Sequence, residues 1–427
     1  MSTTVETALH VAIVGAGAIG AGLAMELSRR GARVTIYEAG RPGEGTSGTT
    51  FAWVNSNAKE PEAYHELNRA GMRAHRELSR GWPGEPWFLP TGHLEWATDP
   101  SSVEELTTRT DRLLSLGYSM KRLTVSEATR MEPDLVVPPG VDHVVLFPEE
   151  GYALPIPMIG RMLGEALDLG AQLRCPARVA GLEERAGGVG ISLEDGRVTA
   201  ADVVVVCAGR WTAELLGTAG YSLPLLGTDQ GPVVLGYLGY TAPVALRLSR
   251  VLTAPGLNVR PDGGGRLVLQ ARDLDPSEDF TDPPSTSGSL ASEMRRRLGY
   301  VLRRGDRATI QDVRLGRRAI PADGLTVTGF IDPGQRIYTV VTHSGITLAP
   351  LLGRLVAKEV ARGTRSPMLE PFRPGRLVSA GSKPPPLPRG DATRPELRSR
   401  AAKPGVRSGG HRRSTSDPED VVRRHST

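Results

Sequence analysis

Gly15, Gly17 and Gly20 stand in the spacing Gly-x-Gly-x-x-Gly, and Glu38 follows 18 residues after the last of them. Glycines so placed let a backbone approach a pyrophosphate. An acid at that distance can accept hydrogen bonds from ribose hydroxyls. The chemistry this pattern points to is nucleotide binding. Further along come a run of hydroxyls (Thr46, Ser47, Thr49, Thr50), a glycine–arginine loop (Gly316-Arg317-Arg318) and a small polar turn (Thr342-His343-Ser344-Gly345). Hydroxyls and loop N–H groups suit phosphate or ring atoms, although a solvated turn accounts for the same composition. His93 and Glu95 would share one face of a strand; a surface strand explains that as well as a catalytic pair does.

The elements around these residues give them context. His10–Val14 is a short apolar, β-branched run and reads as a buried strand. The turn Gly15-Ala16-Gly17-Ala18-Ile19-Gly20 follows, then a helix over 21–30 ended by Gly31, then a strand over 33–37 with Glu38 at its end. In such a unit the helix N-terminus offers unpaired N–H groups and a positive dipole end to phosphates. NAD and FAD both use it, so the unit alone leaves the cofactor open.

Beyond it the pattern predicts helices over 57–80, 101–117, 124–135 (capped by Ser126), 157–169, 290–303 (capped by Ser289) and about 346–360. Strands are expected at 91–97, 172–174, 178–182 and 337–341. A hairpin should turn at Asp195-Gly196, and a buried strand should end at Cys207-Ala208-Gly209. Residues 225–272 read as successive strands of a separate antiparallel sheet. Cys207 reads as a packed small side chain.

The chain has 427 residues and a net charge of +5, but 11 of its Lys and Arg against 5 Asp and Glu fall in residues 381–427. The pI of 9.3 therefore belongs to the tail, and the body gives no reason to expect nucleic-acid binding. Residues 373–427, rich in Pro, Arg, Ser and Gly, are expected to be a disordered basic tail; peripheral membrane contact by it is left open. Two cysteines without metal spacing suggest a reduced, cytoplasmic protein and no metal site. Ala8–Met25 is long enough to prompt a membrane reading, but its glycines and the charges that follow argue against one, and residues 1–7 lack the basic start of a signal peptide.

Four motifs in order carry a resemblance: the fingerprint with Glu38, "VVVVCAGRWT", "GRRAIPADGLTVTG" and "THSGITLAPLLGRLVA". Over about residues 10–372 the chain resembles the FAD-dependent D-amino-acid oxidase type family, which includes glycine and sarcosine oxidases and D-amino-acid dehydrogenases. The resemblance implies FAD, with Glu38 on the adenosine ribose, Val179 near the adenine, and Thr46, Ser47 and Gly209 near the cofactor. The backbone of Gly345, Ile346, Thr347 and Leu348 would face the flavin ring. Arg318 falls where the family's motif arginine binds the substrate carboxylate, a role suited to a two-pronged, charge-assisted donor. Ala319 and Thr326 stand where many relatives have proline, and the substrate-assisting tyrosine of some relatives has only Tyr237 and Tyr240 as nearby candidates.

The implied fold is α/β: a Rossmann-like FAD-binding domain (8–56, 150–222 and 312–372) interleaved with an α+β substrate domain built on an antiparallel sheet (57–149 and 223–311). The implied reaction is hydride transfer from the carbon beside an amino group to flavin N5, leaving an imine that water hydrolyses. The substrate would be an amino acid or related amine. The electron acceptor would be oxygen, a quinone or another redox protein. The alternatives are a nicotinamide-dependent dehydrogenase and a non-catalytic flavoprotein subunit of an electron-transfer complex.

Overall fold

In a computed structural model of the chain, the first strand has every residue buried, as its unbroken apolar run requires. The structure describes residues 8–84, 86–275 and 285–380, with the backbone alone for 230–232 and 379–380. His10–Val14 lies inside a six-stranded sheet ordered Val327–Phe330, Ile337–Val341, Val203–Val206, His10–Val14, Arg33–Tyr37, Gln172–Arg174. All its pairings are parallel except that of the two strands nearest the C-terminus. Alternate side chains of the first strand serve two cores. Val11 and Ile13 join the core with the helices, and Ala12 and Val14 join one with the three-stranded sheet of residues 179–201. Both faces are thus covered.

The helices are α1 (Ala18–Ser28), α2 (Glu62–Arg80), α3 (Pro100–Ser115), α4 (Val125–Met131), α5 (Pro155–Asp168), α6 (Thr212–Thr218), α7 (Ser289–Val301) and α8 (Gly345–Arg362). Several differ from expectation for identifiable reasons. α2 starts at Glu62 because Pro61 occupies the N-cap and accepts the first N–H groups, from Tyr64 and His65. α4 is capped by Thr124, not Ser126: Thr124 and Glu127 exchange side-chain and backbone hydrogen bonds in a capping box. Ser289 does not cap α7; it is the first helical residue, behind an extended Gly288. α5 begins two residues early, since a proline at the first position costs no hydrogen bond.

The second large sheet has eight strands, in the order Ile310–Arg317, Leu235–Thr241, Leu267–Gln270, Leu257–Pro261, Val251–Ala254, His93–Glu95, Val144–Phe147, Lys121–Leu123. It is antiparallel apart from the pairing of Val251–Ala254 with His93–Glu95. Its core includes Leu252, Val259, Leu269 and, from α7, Met294 and Leu298. The strand Ile310–Arg317 belongs here, so the domain boundary expected at 312 falls inside a strand. Residues 373–380, expected in the tail, instead join the body. Arg373 grips the Glu359 carboxylate of α8 through both terminal guanidinium nitrogens, Nη1 and Nη2, and Ser379–Ala380 pairs with Tyr221–Ser222. The rest of the expected tail, 381–427, lies outside the described residues. Among the described residues no helix is long and apolar enough to cross a membrane.

Candidate active site

The site begins at the turn into α1. Gly15 adopts φ +103°, and a Cβ there would meet the Cys207 carbonyl oxygen at 2.6 Å; one on Gly20 would meet the Gly15 oxygen at 1.9 Å. Only glycine permits this crossing of strand ends and helix. Ala16 N–H donates to Glu38 Oε2 (2.8 Å) and Ala18 N–H to Ser47 Oγ (3.1 Å). Ile19 and Gly20 N–H, at the helix N-terminus, have no acceptor among the described residues. Thr46 donates its hydroxyl to the Arg317 carbonyl, which ties the hydroxyl loop to the end of the antiparallel sheet. Gly209 (φ +56°) opens a 3-10 turn beyond Val203–Val206. Val179 packs into the core that holds Tyr37 and Ala177, close to the backbone of Glu38. The structure therefore gathers the fingerprint, Glu38, Ser47 and the end of Val203–Val206 around one set of parallel strand ends.

The second part is the start of α8. The strand Ile337–Val341 ends, Thr342 Oγ1 accepts from Ser344 N–H (3.1 Å), and the helix opens without a side-chain cap. Gly345, Ile346 and Thr347 N–H have no acceptor among the described residues. Unpaired donors at a helix N-terminus favour an electron-rich partner. Trp53 touches this end: its carbonyl accepts from Thr347 Oγ1 at 3.3 Å.

The third part is charged. Arg318 donates through Nη1 to the carbonyls of Val233 (3.0 Å) and Leu235 (3.3 Å). A Cβ on Gly236 would lie 2.4 Å from Arg318 Nη2 and 2.9 Å from Asp275 Oδ2, so the two charged groups occupy the same space. Asp275 is buried, accepts from Tyr237 N–H (3.0 Å), and has its pKa pushed up to about 6, chiefly by burial. His343, on the turn before α8, keeps solvent access while crowded by protein atoms. Burial, then Lys59, Arg318 and Arg272, push its pKa down to about 3, so it stays neutral.

Beneath lies a buried network that the sequence did not suggest. Glu150 accepts from Tyr118 OH (2.7 Å), Trp53 Nε1 (2.9 Å) and Asn57 Nδ2 (3.4 Å), and His93 Nδ1 lies 3.2 Å from it. His93 and Glu95 are thus buried in an inner strand, not on a surface strand, and Glu95 pairs with Arg109 at 2.5 Å. These partners come from five separate segments, and no local spacing relates them. Of the two tyrosine candidates, Tyr237 is buried beside Asp275, while Tyr240 lies under Arg314 and lines a cleft of about 600 Å³ with Thr50 and Arg260. Cys207 is buried, which pushes its thiol pKa well up and leaves it inert.

These residues fit a flavin dinucleotide. There is a glycine cradle with unpaired N–H groups and an acid at one end, and an uncapped helix N-terminus at the other. Comparison with known proteins agrees. Residues 10–359 match the family model DAO, described as FAD dependent oxidoreductase. A glycine oxidase from Geobacillus kaustophilus is 28% identical over 372 residues, which cover 85% of this chain and 95% of that protein. A D-proline dehydrogenase from Pyrobaculum islandicum is 25% identical, covering 82% and 95% of the two chains. The crystal structure of the Geobacillus glycine oxidase matches with a TM-score of 0.74 at 25% identity, over 85% of this chain and 97% of that one.

Proposed function

The chain belongs to the DAO family of FAD dependent oxidoreductases, and from that premise we propose that it oxidises the C–N bond of an amino acid or related amine whose carboxylate is held by Arg318. The observation that carries this reading is that Arg318 lies near enough to His343, on the turn that opens α8, to act on its charge. Arg318 offers a guanidinium, and the residues after His343 offer the N–H groups of α8 that have no acceptor among the described residues. Glycine and D-proline, for which the two relatives are named, both carry a carboxylate on the carbon next to nitrogen.

In this reading Glu38 takes the adenosine ribose, Val179 lies by the adenine, and Ala16 to Gly20, Thr46, Ser47 and Gly209 line the dinucleotide. The backbone from Gly345 to Leu348 faces the ring. The parallel sheet and its helices hold the cofactor, and the eight-stranded sheet, counted with Ile310–Arg317, shapes the substrate side. FAD held by these residues would supply the two-electron acceptor for oxidation of the carbon beside nitrogen, the imine product being open to hydrolysis by water. Arg318 fixes the carboxylate and thereby the position of that carbon. The N–H groups opening α8 favour negative charge where it develops. Neutral His343 adds no positive charge that would hold the amine off. The final electron acceptor would be oxygen, a quinone or another redox protein.

The test is spectroscopic. The purified protein should carry flavin absorption, and anaerobic mixing with a panel of amino acids and N-methyl amino acids should bleach it. A colourless protein that binds NADH, or a flavoprotein that no amine bleaches, would overturn the reading. Peroxide formation on admitting air identifies oxygen as acceptor.

A further inference from the structure

One polar cleft takes no part in the proposed oxidation. It has a volume of about 600 Å³ and lies between the eight-stranded sheet, the loop at Gly48 and Thr50, and the start of α5. The sheet sets it apart from Arg318. Strands Leu235–Thr241 and Ile310–Arg317 pair Tyr240 with Asp312, Leu238 with Arg314, and Gly236 with Gly316, all on one face. Tyr240, Asp312 and Arg314 line the cleft. At the third pair the face is filled. A Cβ on Gly316 would meet the Thr49 carbonyl oxygen at 3.0 Å, and Arg318 Nη2 occupies the space over Gly236. Arg318 is not among the lining residues.

The deepest groups of the cleft are hydrogen-bond donors. Tyr240 is only 8% exposed, and its hydroxyl has no hydrogen-bond partner among the described residues. Arg260 is 1% exposed. Its Nε binds the Phe51 carbonyl, and its Nη1 binds the Pro261 carbonyl (2.6 Å) and Asp262 (2.9 Å). Its Nη2 has no acceptor among the described residues. Arg314 lies over the Tyr240 ring, 4.3 Å from its centre, and gives Nε to Asp312 at 2.6 Å. At the α5 end no side chain caps the helix, and Ile156 supplies an N–H between two prolines that have none. The acids of the lining, Asp262 and Asp312, are each paired with one of these arginines. Their side chains are 18% and 43% exposed, which puts them toward the rim. Over the whole lining, Arg260, Arg266 and Arg314 stand against those two acids, an excess of one positive charge. Leu154, Pro155, Ile156 and Pro157 form an apolar wall. Buried polar groups as a rule find partners. A buried hydroxyl and a buried guanidinium nitrogen, both left over at the wall of a cleft this size, mark the place of a ligand's acceptor atoms.

We infer that this cleft binds a second small molecule, a monocarboxylate with an apolar body, distinct from the amine held at Arg318. Its carboxylate lies between the Tyr240 hydroxyl and the guanidinium groups of Arg260 and Arg314, and its body lies on the Leu154–Pro157 wall. One negative charge answers the excess of one positive charge, and the apolar wall gives the body its place.

The experiment is isothermal titration of the full-length, FAD-loaded protein with hexanoate. Hexylamine, 1-hexanol and acetate are the controls. Hexanoate should bind, and each control should bind about tenfold more weakly or not at all. Tyr240→Phe and Arg314→Met, both checked for full FAD content and an unchanged melting temperature, should each weaken hexanoate by about tenfold. Arg318→Met should leave its affinity within about twofold, because that arginine does not line the cleft. Arg260 is left untouched in these variants, since its buried contacts also hold the loop at Phe51. No heat of binding with hexanoate would overturn the inference. So would an affinity that Arg318→Met abolishes and the other two variants leave unchanged, which would place the carboxylate at Arg318. Equal affinity for hexylamine would overturn the charge assignment, and equal affinity for acetate would overturn the apolar body.

Discussion

His75 Nε2 on α2 lies 2.8 Å from the carbonyl oxygen of Ile346, the oxygen that loses its intrahelical partner because residue 350 is proline. A proline inside a helix removes the N–H that would bond four residues back. Here an imidazole from another helix supplies the missing donor, at the end of α8 that faces the proposed flavin site.

This contact predicts an acid weakness. Burial pushes the His75 pKa down to about 4 from an ordinary 6.5. A histidine depressed on folding gives stability that is complete above its unfolded pKa. That stability drains away as pH falls from about 6.5 through about 4, amounting to roughly 3 kcal/mol. His343, depressed to about 3, adds in the same direction. His75→Leu should cost about 1–3 kcal/mol at neutral pH by leaving the Ile346 oxygen unpaired. His75→Gln, which keeps a donor, should recover part of that and lose the histidine's share of the pH slope. Denaturant melts between pH 4 and pH 8 measure both.

α1 and α8 touch backbone to backbone. A Cβ on Gly353 would meet the Gly22 oxygen at 2.7 Å, and one on Gly22 would meet the Ala349 oxygen at 2.8 Å. These obstacles are main chain and cannot rotate away. Gly353→Ala should therefore push the helices apart at a cost of about 1–3 kcal/mol. Since the two helices carry the two ends of the cofactor site, FAD should dissociate at a lower temperature. Parallel thermal scans of flavin fluorescence and circular dichroism should show both transitions moving down together.

Arg318→Met should raise KM for amines with a carboxylate by roughly tenfold to a hundredfold, the equivalent of about 1.5–3 kcal/mol, at unchanged FAD content. Loss of FAD on purification would instead assign Arg318 to structure. Steady-state kinetics with flavin-to-protein absorbance ratios decide this.

Asp275 makes an opposite pH prediction. A carboxyl raised on folding to about 6 stabilises the fold fully below its unfolded pKa of 3.8, and this contribution is lost as pH rises through 6. Asp275→Asn, which can still accept from Tyr237 N–H, should melt higher than the parent at pH 8, by up to about 3 kcal/mol, and no higher below pH 4. Because the same carboxylate lies beside Arg318, losing its negative charge should also strengthen binding of a substrate carboxylate at pH 8. A melting difference independent of pH would refute a titrating Asp275.

What could be read without coordinates was local. The strands at Ile337–Val341 and Gln172–Arg174 fall at the residues expected. Helix starts were less legible, because a cap is settled by which residue turns extended: Thr124 with Glu127 outcompetes Ser126, and Gly288 displaces Ser289. The place of His93 stayed open between a surface strand and a catalytic pair, because an alternating strand looks the same whether its polar face meets water or a buried carboxylate. Glu150, which answers it, lies 57 positions away.

The sequence by itself determined the family and the cofactor cradle, since Gly15, Gly17, Gly20 and Glu38 belong to one strand–helix–strand unit whose geometry follows from their spacing. Only the tertiary structure decided what surrounds His343. Lys59, Asp275 and Arg318 come from distant stretches of chain, and their spacing along the chain carries no information about their meeting. Their charges act on His343 or on one another only once the antiparallel sheet and the chain before α2 are brought to the start of α8, because Coulomb interactions depend on distance in space and not along the chain.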